Sequence, residues 1–150
     1  MQTVDSFDPD RTRALGQGLA GQLRPGDVLA LIGEMGSGKT TFVQGLASGM
    51  GIALGEVASP SFVLVREYRG RFPMAHADLF RLNDSWQAQA LGLEAYYGTE
   101  WVTVIEWADR APQILPEEYL EIRFEVIAED TRRLTLIPYG KRYESMRWIV

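Results

Sequence analysis

Val28-Leu29-Ala30-Leu31-Ile32-Gly33-Glu34-Met35-Gly36-Ser37-Gly38-Lys39-Thr40-Thr41 runs from a continuously apolar pentapeptide through a glycine-rich loop into a helix-compatible segment. Five apolar residues without alternation fit a strand buried on both faces, as in a parallel sheet. Gly33, Gly36 and Gly38 allow backbone conformations closed to other residues, so the N–H groups of the loop can turn inward together. The helix expected from Lys39 to about Met50 aims its N-terminal dipole at the same point. Strand, loop and helix in that order form a cradle for phosphate. Within it, Lys39 reaches the β- and γ-phosphates and the Thr40 hydroxyl is placed to ligate magnesium. Residues Gly33, Glu34, Met35, Gly36, Ser37, Gly38, Lys39 and Thr40 make up the complete phosphate-binding loop.

The choice of basic residues agrees with this. Only Lys39 and Lys141 are lysine; every other basic residue is arginine. A loop that wraps backbone around phosphate has room for a slender ammonium and little for a planar guanidinium.

Outward from the loop, Asp8 or Asp10 can cap a first helix over 11–23, with Leu15, Leu19 and Leu23 on one face. Gly51 and Gly55 end the helix after the loop. The alternation in 62–68 predicts a strand, a turn follows at Arg69-Gly70-Arg71, and 73–80 is its neighbour. Asn83 or Asp84 can cap a helix to about Leu91, with one more turn at 94–97. Trp101-Val102-Thr103-Val104-Ile105 reads as the second buried strand, 108–114 as a short helix, and 119–128 with 133–138 as a late hairpin. The expected fold is α/β of the P-loop NTPase type: a parallel central sheet with antiparallel additions and flanking helices. At 150 residues, one domain is expected over 1–150.

A phosphate loop needs a further acid to hold the magnesium shell and orient water. Glu106 ends the most apolar strand after the loop, and Asp78 lies in a less apolar stretch, Met74-Ala75-His76-Ala77-Asp78; both are candidate catalytic residues beside Lys39. Ser59 and Ser61, in Ser59-Pro60-Ser61-Phe62, lie where nucleotide switches sense the γ-phosphate, although on the residues alone a plain proline turn is the better reading of that segment. His76 is the only histidine, and a lone histidine is more often a satisfied structural group than a catalyst. Trp107 reads as core packing rather than substrate contact.

Composition excludes several classes. There is no cysteine, so disulfides and thiolate metal sites are out. No apolar run approaches about 18 residues, and Met1–Ser6 lacks the basic and apolar regions of a signal peptide, so neither a membrane span nor secretion is expected. A net charge of −5 argues against a broad nucleic-acid-binding face. The cluster of Arg66, Arg69 and Arg71 reads as a solvated hairpin.

Gly36-Ser37-Gly38-Lys39-Thr40-Thr41, Ser59-Pro60-Ser61-Phe62, His76-Ala77-Asp78-Leu79-Phe80-Arg81-Leu82, Leu91-Gly92-Leu93 and Glu106-Trp107 occur in that order. Together they resemble the TsaE (YjeE) family of small bacterial ATPases, over roughly residues 8 to 137. The resemblance implies an ATP- and Mg2+-dependent ATPase of the cytoplasm that supports formation of threonylcarbamoyladenosine in tRNA. It would act with a TsaB–TsaD pair, and the acidic charge adds that it would touch tRNA only indirectly. It implies that Thr40 and Glu106 serve magnesium, that Asp78 lies in the active site, that Thr41 reaches phosphate, and that the segments near Pro9 and Asp130 flank the base. Ser61 stands where the family often has threonine, which keeps a hydroxyl. Phe80 stands where it often has tyrosine, which removes one. A small-molecule kinase would share the phosphate loop, but 150 residues leave no long insertion for an acceptor lid. A guanine-dependent switch would need an Asn-Lys-x-Asp element, which is missing.

Overall fold

The computed structural model describes residues 1–53, 57 and 64–149. Its centre is the apolar pentapeptide. Strand β2 (Val28–Ile32) pairs in parallel with both β5 (Val102–Glu106) and β6 (Tyr119–Val126). Being flanked on both edges and covered on both faces, it has no use for polar alternation, and Val28 to Leu31 are all buried. Strand β4 (Pro73–Asp78) extends the parallel centre beyond β5. Antiparallel strands close both sides: β3 (Val65–Arg69) on β4, and β7 (Arg132–Tyr139) on β6, followed by β1 (Gln2–Ser6). The seven strands run in the order β1-β7-β6-β2-β5-β4-β3. The expected parallel sheet with antiparallel additions is therefore observed.

One face is covered by α1 (Pro9–Ala20) and α2 (Lys39–Gly49), which pack on Leu29, Leu31, Met74, Val102, Val104, Ile122 and Leu134. The other is covered by α3 (Ser85–Ala90) and short 3-10 turns over Val28, Ala30, Ala77 and Ile105. Asp8 rather than Asp10 caps α1, accepting from the Arg11 N–H at 2.8 Å, and Pro9 opens the helix. The helix starts and stops earlier than 11–23, yet Leu15, Leu19 and Leu23 are all buried as expected. α1 and α2 cross so closely that a methyl at Gly16 would strike the Phe42 carbonyl, and one at Gly45 the Arg13 backbone. Asp84 rather than Asn83 caps α3, accepting from the Gln87 N–H at 2.9 Å.

Several expected elements differ. The second buried strand is shifted by one residue: Trp101 lies outside it, packed edge-on against Tyr96, and Glu106 is its last member. The expected helix over 108–114 is two 3-10 turns, Ala108–Arg110 and Pro112–Ile114. Pro112 bars its predecessor from the helical region, and Ala111 accordingly sits at φ −147°. β4 ends at Asp78 instead of 80, and β3 is described only from Val65, so the expected start near Phe62, like Gly55, lies outside the described residues. Arg71 is more than a solvated charge. Its guanidinium donates to the Ala20 and Gly49 carbonyls, at the C-terminal ends of α1 and α2 where a cation is favoured.

Two elements carry no sequence signal used above. β1 is a polar edge strand held by pairing to β7, by hydrogen bonds between Gln2 and the 146–148 segment, and by Ser6 to Thr12 of α1. The segment 141–149 folds back so that Tyr143 and Met146 are buried and the Trp148 indole donates to the Gln2 carbonyl at 3.1 Å. This segment completes a polar cluster at the N-terminal end of β2. There Asp27 accepts from Arg142 Nη2 at 2.6 Å, from Arg142 Nε at 3.0 Å and from the Arg24 N–H at 2.7 Å. The Val28 N–H donates to the Tyr143 hydroxyl at 2.9 Å.

Candidate functional site

At the opposite, C-terminal end of β2, the glycine loop leads straight into α2. Gly36 (φ 78°) and Gly38 (φ 104°) take left-handed conformations, and Gly38 caps α2 without a side chain. The first turn of α2 thus presents its N–H groups without side-chain competition, as an anion site requires. Glu34, Met35 and Gly36 form the exposed crest of the loop, while Ser37 and Lys39 are buried at its base.

Lys39 is folded onto its own loop. Its Nζ donates to the Gly33 carbonyl at 2.5 Å, the Glu34 carbonyl at 2.9 Å and Ser37 Oγ at 3.3 Å, and lies 4.3 Å from the centre of the Trp107 ring. Burial draws its pKa below the ordinary lysine value, against the opposing pull of Glu106, Asp78, Asp109 and Glu34. An ammonium that is buried and paired only with neutral oxygens gains from an anion brought into the loop.

The two candidate acids meet at the ends of adjacent parallel strands, where Asp78 is directly opposite Glu106. Both are buried. Thr40 Oγ1, on the first turn of α2, donates to Glu106 at 3.0 Å (Oε1) and 3.2 Å (Oε2). Its proton is thereby turned to the carboxylate, and its oxygen lone pairs remain for a cation. Asp78 Oδ1 accepts from the Phe80 N–H at 2.8 Å, which fixes the turn that leaves β4.

His76 corrects an expectation. It is fully buried and its Nε2 lies 2.5 Å from Glu106 Oε2, so it belongs to the acid rather than to a separate structural contact. The signal was present: His76 and Asp78 are two apart on β4 and therefore share a face. Trp107 is also more than core packing. Half-buried, it lines a 250 Å3 cleft with Lys39, Thr40, Asp78, Phe80 and Glu106. It is the only non-glycine at positive φ (58°) among the described residues, a strained conformation of the kind that collects at functional sites. Its ring packs 5.0 Å from Phe80, and the Arg110 guanidinium lies over both.

A second cleft of 230 Å3 opens on the other side of the loop. Pro9, Thr41 and Asp130 line it together with Gly36 and Gly38, so the segments that the resemblance placed beside a base do converge there. Arg132, which sequence reasoning missed, ties the late hairpin to the loop through Nε to the Gly36 carbonyl at 3.2 Å. Ser59 and Ser61 lie outside the described residues.

Comparison with known proteins agrees with this architecture. The model of the TsaE family, described as threonylcarbamoyl adenosine biosynthesis protein TsaE, matches residues 6–134. The chain is 39% identical over 142 residues to the tRNA threonylcarbamoyladenosine biosynthesis protein TsaE of Bacillus subtilis, covering 94% of this chain and 88% of that one. To the protein of the same name from Synechocystis it is 44% identical over 119 residues, covering 75% and 74%. Among solved structures it resembles the crystal structure of Bacillus subtilis YdiB, with a TM-score of 0.79 at 33% identity over 95% of this chain and 88% of that one. From the family match across most of the chain and these identities, the chain belongs to the TsaE family.

Proposed function

We propose that this protein binds and hydrolyses Mg-ATP in the cytoplasm in support of tRNA threonylcarbamoyladenosine formation, working with a TsaB–TsaD pair. The observation that carries the reading is the meeting, at one helix N-terminus, of a buried lysine short of an anion and a threonine whose lone pairs are left free by a buried glutamate.

The donor set fits magnesium. Thr40, Glu106 and Asp78 offer oxygens only, and magnesium is held by one or two protein oxygens with phosphates and water completing the shell. Bound there, the ion neutralises charge on the β- and γ-phosphates. Thr40 and Glu106 would hold it. Lys39 exchanges its carbonyl partners for phosphate oxygens, the bare N–H groups of the loop and of α2 orient the phosphates, and Asp78 and Glu106 are the bases available to orient water. Pro9, Thr41 and Asp130 lie where the nucleoside end would rest.

The partner assignment follows from the family together with charge. At a net −5 the chain is a poor direct ligand for a polyanion, because such affinity comes largely from neutralising phosphates. Contact with tRNA is therefore assigned to the protein complex.

Calorimetry on wild type and Lys39→Ala tests the nucleotide site. Loss of the charged contact should cost about 1.5–3 kcal/mol of Mg-ATP affinity. An unchanged affinity would refute the site.

A further inference from the structure

His76 stands where the hydrocarbon core meets the two acids of the site. On its face of the sheet stand Met74 on the same strand and Val102 and Val104 on β5, all fully buried. A core of this kind is filled more cheaply by leucine or methionine, because a buried imidazole must recover the hydration that it loses. Here it recovers only half. Nε2 meets Glu106 Oε2 at 2.5 Å, whereas Nδ1 has no hydrogen-bond partner among the described residues. The tautomer follows from this asymmetry. A carboxylate accepts, so the ring proton belongs on Nε2, and the partnerless Nδ1 keeps a bare lone pair instead of stranding an N–H.

We infer that His76 is a positioning residue for Glu106, its Nε2–H holding Oε2 from below the sheet edge so that the carboxylate stays turned toward Thr40. Glu106 is the last residue of β5, and Trp107 after it departs in a left-handed conformation, so the backbone alone leaves the carboxylate free to follow that turn. Two donors on separate elements restrain it: Thr40 from α2 and His76 from β4. The inference rests on the magnesium–ATP reading above and deepens it, because a carboxylate held this way meets a cation without first being ordered. Groups that orient a metal-site carboxylate typically matter about 10- to 100-fold in metal affinity or activity.

Two measurements test it. His76 is the only histidine, so the nitrogen-15 spectrum of the untagged wild-type protein reports one imidazole. The expected result is a slowly exchanging proton on Nε2, with its resonance moved in Glu106→Ala. A proton on Nδ1, or a ring proton exchanging freely with water, would overturn the assignment. The second is calorimetry of Mg-ATP and of ATP in excess chelator. His76→Leu should lose about tenfold or more in affinity for Mg-ATP with little change for free ATP, and His76→Gln, which returns an N–H near Nε2, should recover most of it. Equal Mg-ATP affinity in wild type and His76→Leu would refute the positioning role. A wild type indifferent to magnesium would instead refute the parent reading, and the spectrum would still decide the His76–Glu106 bond.

Discussion

Strand β2 has a buried polar cluster at each end, and the two are built to opposite plans. At its N-terminal end, Asp27, Arg142, Tyr143 and the backbone of Arg24 and Val28 close on one another: the carboxylate takes three donors, and Arg142 Nη2 also reaches the Gln22 carbonyl at 3.0 Å. At its C-terminal end the ledger is left open. Lys39 is spent on neutral oxygens of its own loop, the first turn of α2 has no side-chain cap, and His76 Nδ1 is unpartnered among the described residues. A closed network fixes a fold; an open one, at the same depth and on the same strand, keeps bonding capacity for a ligand. Burial of polar groups alone does not separate the two. Satisfaction does.

The comparison breaks most easily at its closed end. Asp27→Ala removes the buried carboxylate and leaves the partly buried Arg142 and the Arg24 N–H without their acceptor, and should cost about 3–5 kcal/mol in denaturant unfolding, with Mg-ATP affinity unchanged in the molecules that remain folded. A loss under about 1 kcal/mol would mean that the cluster is no more than a surface pair. At the open end the expected order of effects is reversed. Glu106→Gln keeps the shape but offers one acceptor to two donors, Thr40 and His76, so stability should fall by no more than about 1–3 kcal/mol. On the proposed reading, phosphate release from ATP should fall by about a hundredfold or more, the range of a lost general base. Normal release in that variant would transfer the role to Asp78.

The smallest expected effect concerns pH. Burial is the main reason that the Tyr143 phenol is pushed up to about 12. An unfolded chain ionises it near pH 10, whereas the folded one holds the proton to about 12, so the unfolded state sheds protons first. Stability from this group is therefore complete below about pH 10 and drains away as pH rises toward 12. Tyr143→Phe should flatten that alkaline slope while costing about 1–3 kcal/mol at neutral pH, because the Val28 N–H loses its acceptor. Equal slopes in wild type and variant from pH 9 to 11.5 would place the alkaline sensitivity elsewhere.

The two ends also differed in how far they could be read from sequence. β2, the glycine loop and α2 are consecutive, and their signals are local: an apolar run, closely spaced glycines, and a lysine in a chain that otherwise uses arginine almost throughout. The site therefore stood out, and Lys39, Thr40, Asp78 and Glu106 do come together. What escaped was contact between separate elements. His76 could be placed on the face of Asp78 by parity, but its contact with Glu106 depends on which strand lies beside β4, and that follows from long-range pairing. Tyr143 reaches Val28 across 115 residues, and the polar edge strand β1 pairs with β7, which lies far along the chain. Pro112 was a local signal against a continuous helix over 108–114, and the two 3-10 turns follow from it.

The crossing of α1 and α2 gives this chain something like a machined joint. With Gly16 and Gly45 bringing backbone onto backbone, no side chain lies between the helices at that point to act as a cushion. Asp8 and Pro9 stand at the start of α1 beside one cleft, and Thr40 stands at the start of α2 beside the other. The walls on the two sides of the glycine loop are thus gauged from a single fixed seam, and a tolerance set by two missing methyl groups is shared by both clefts.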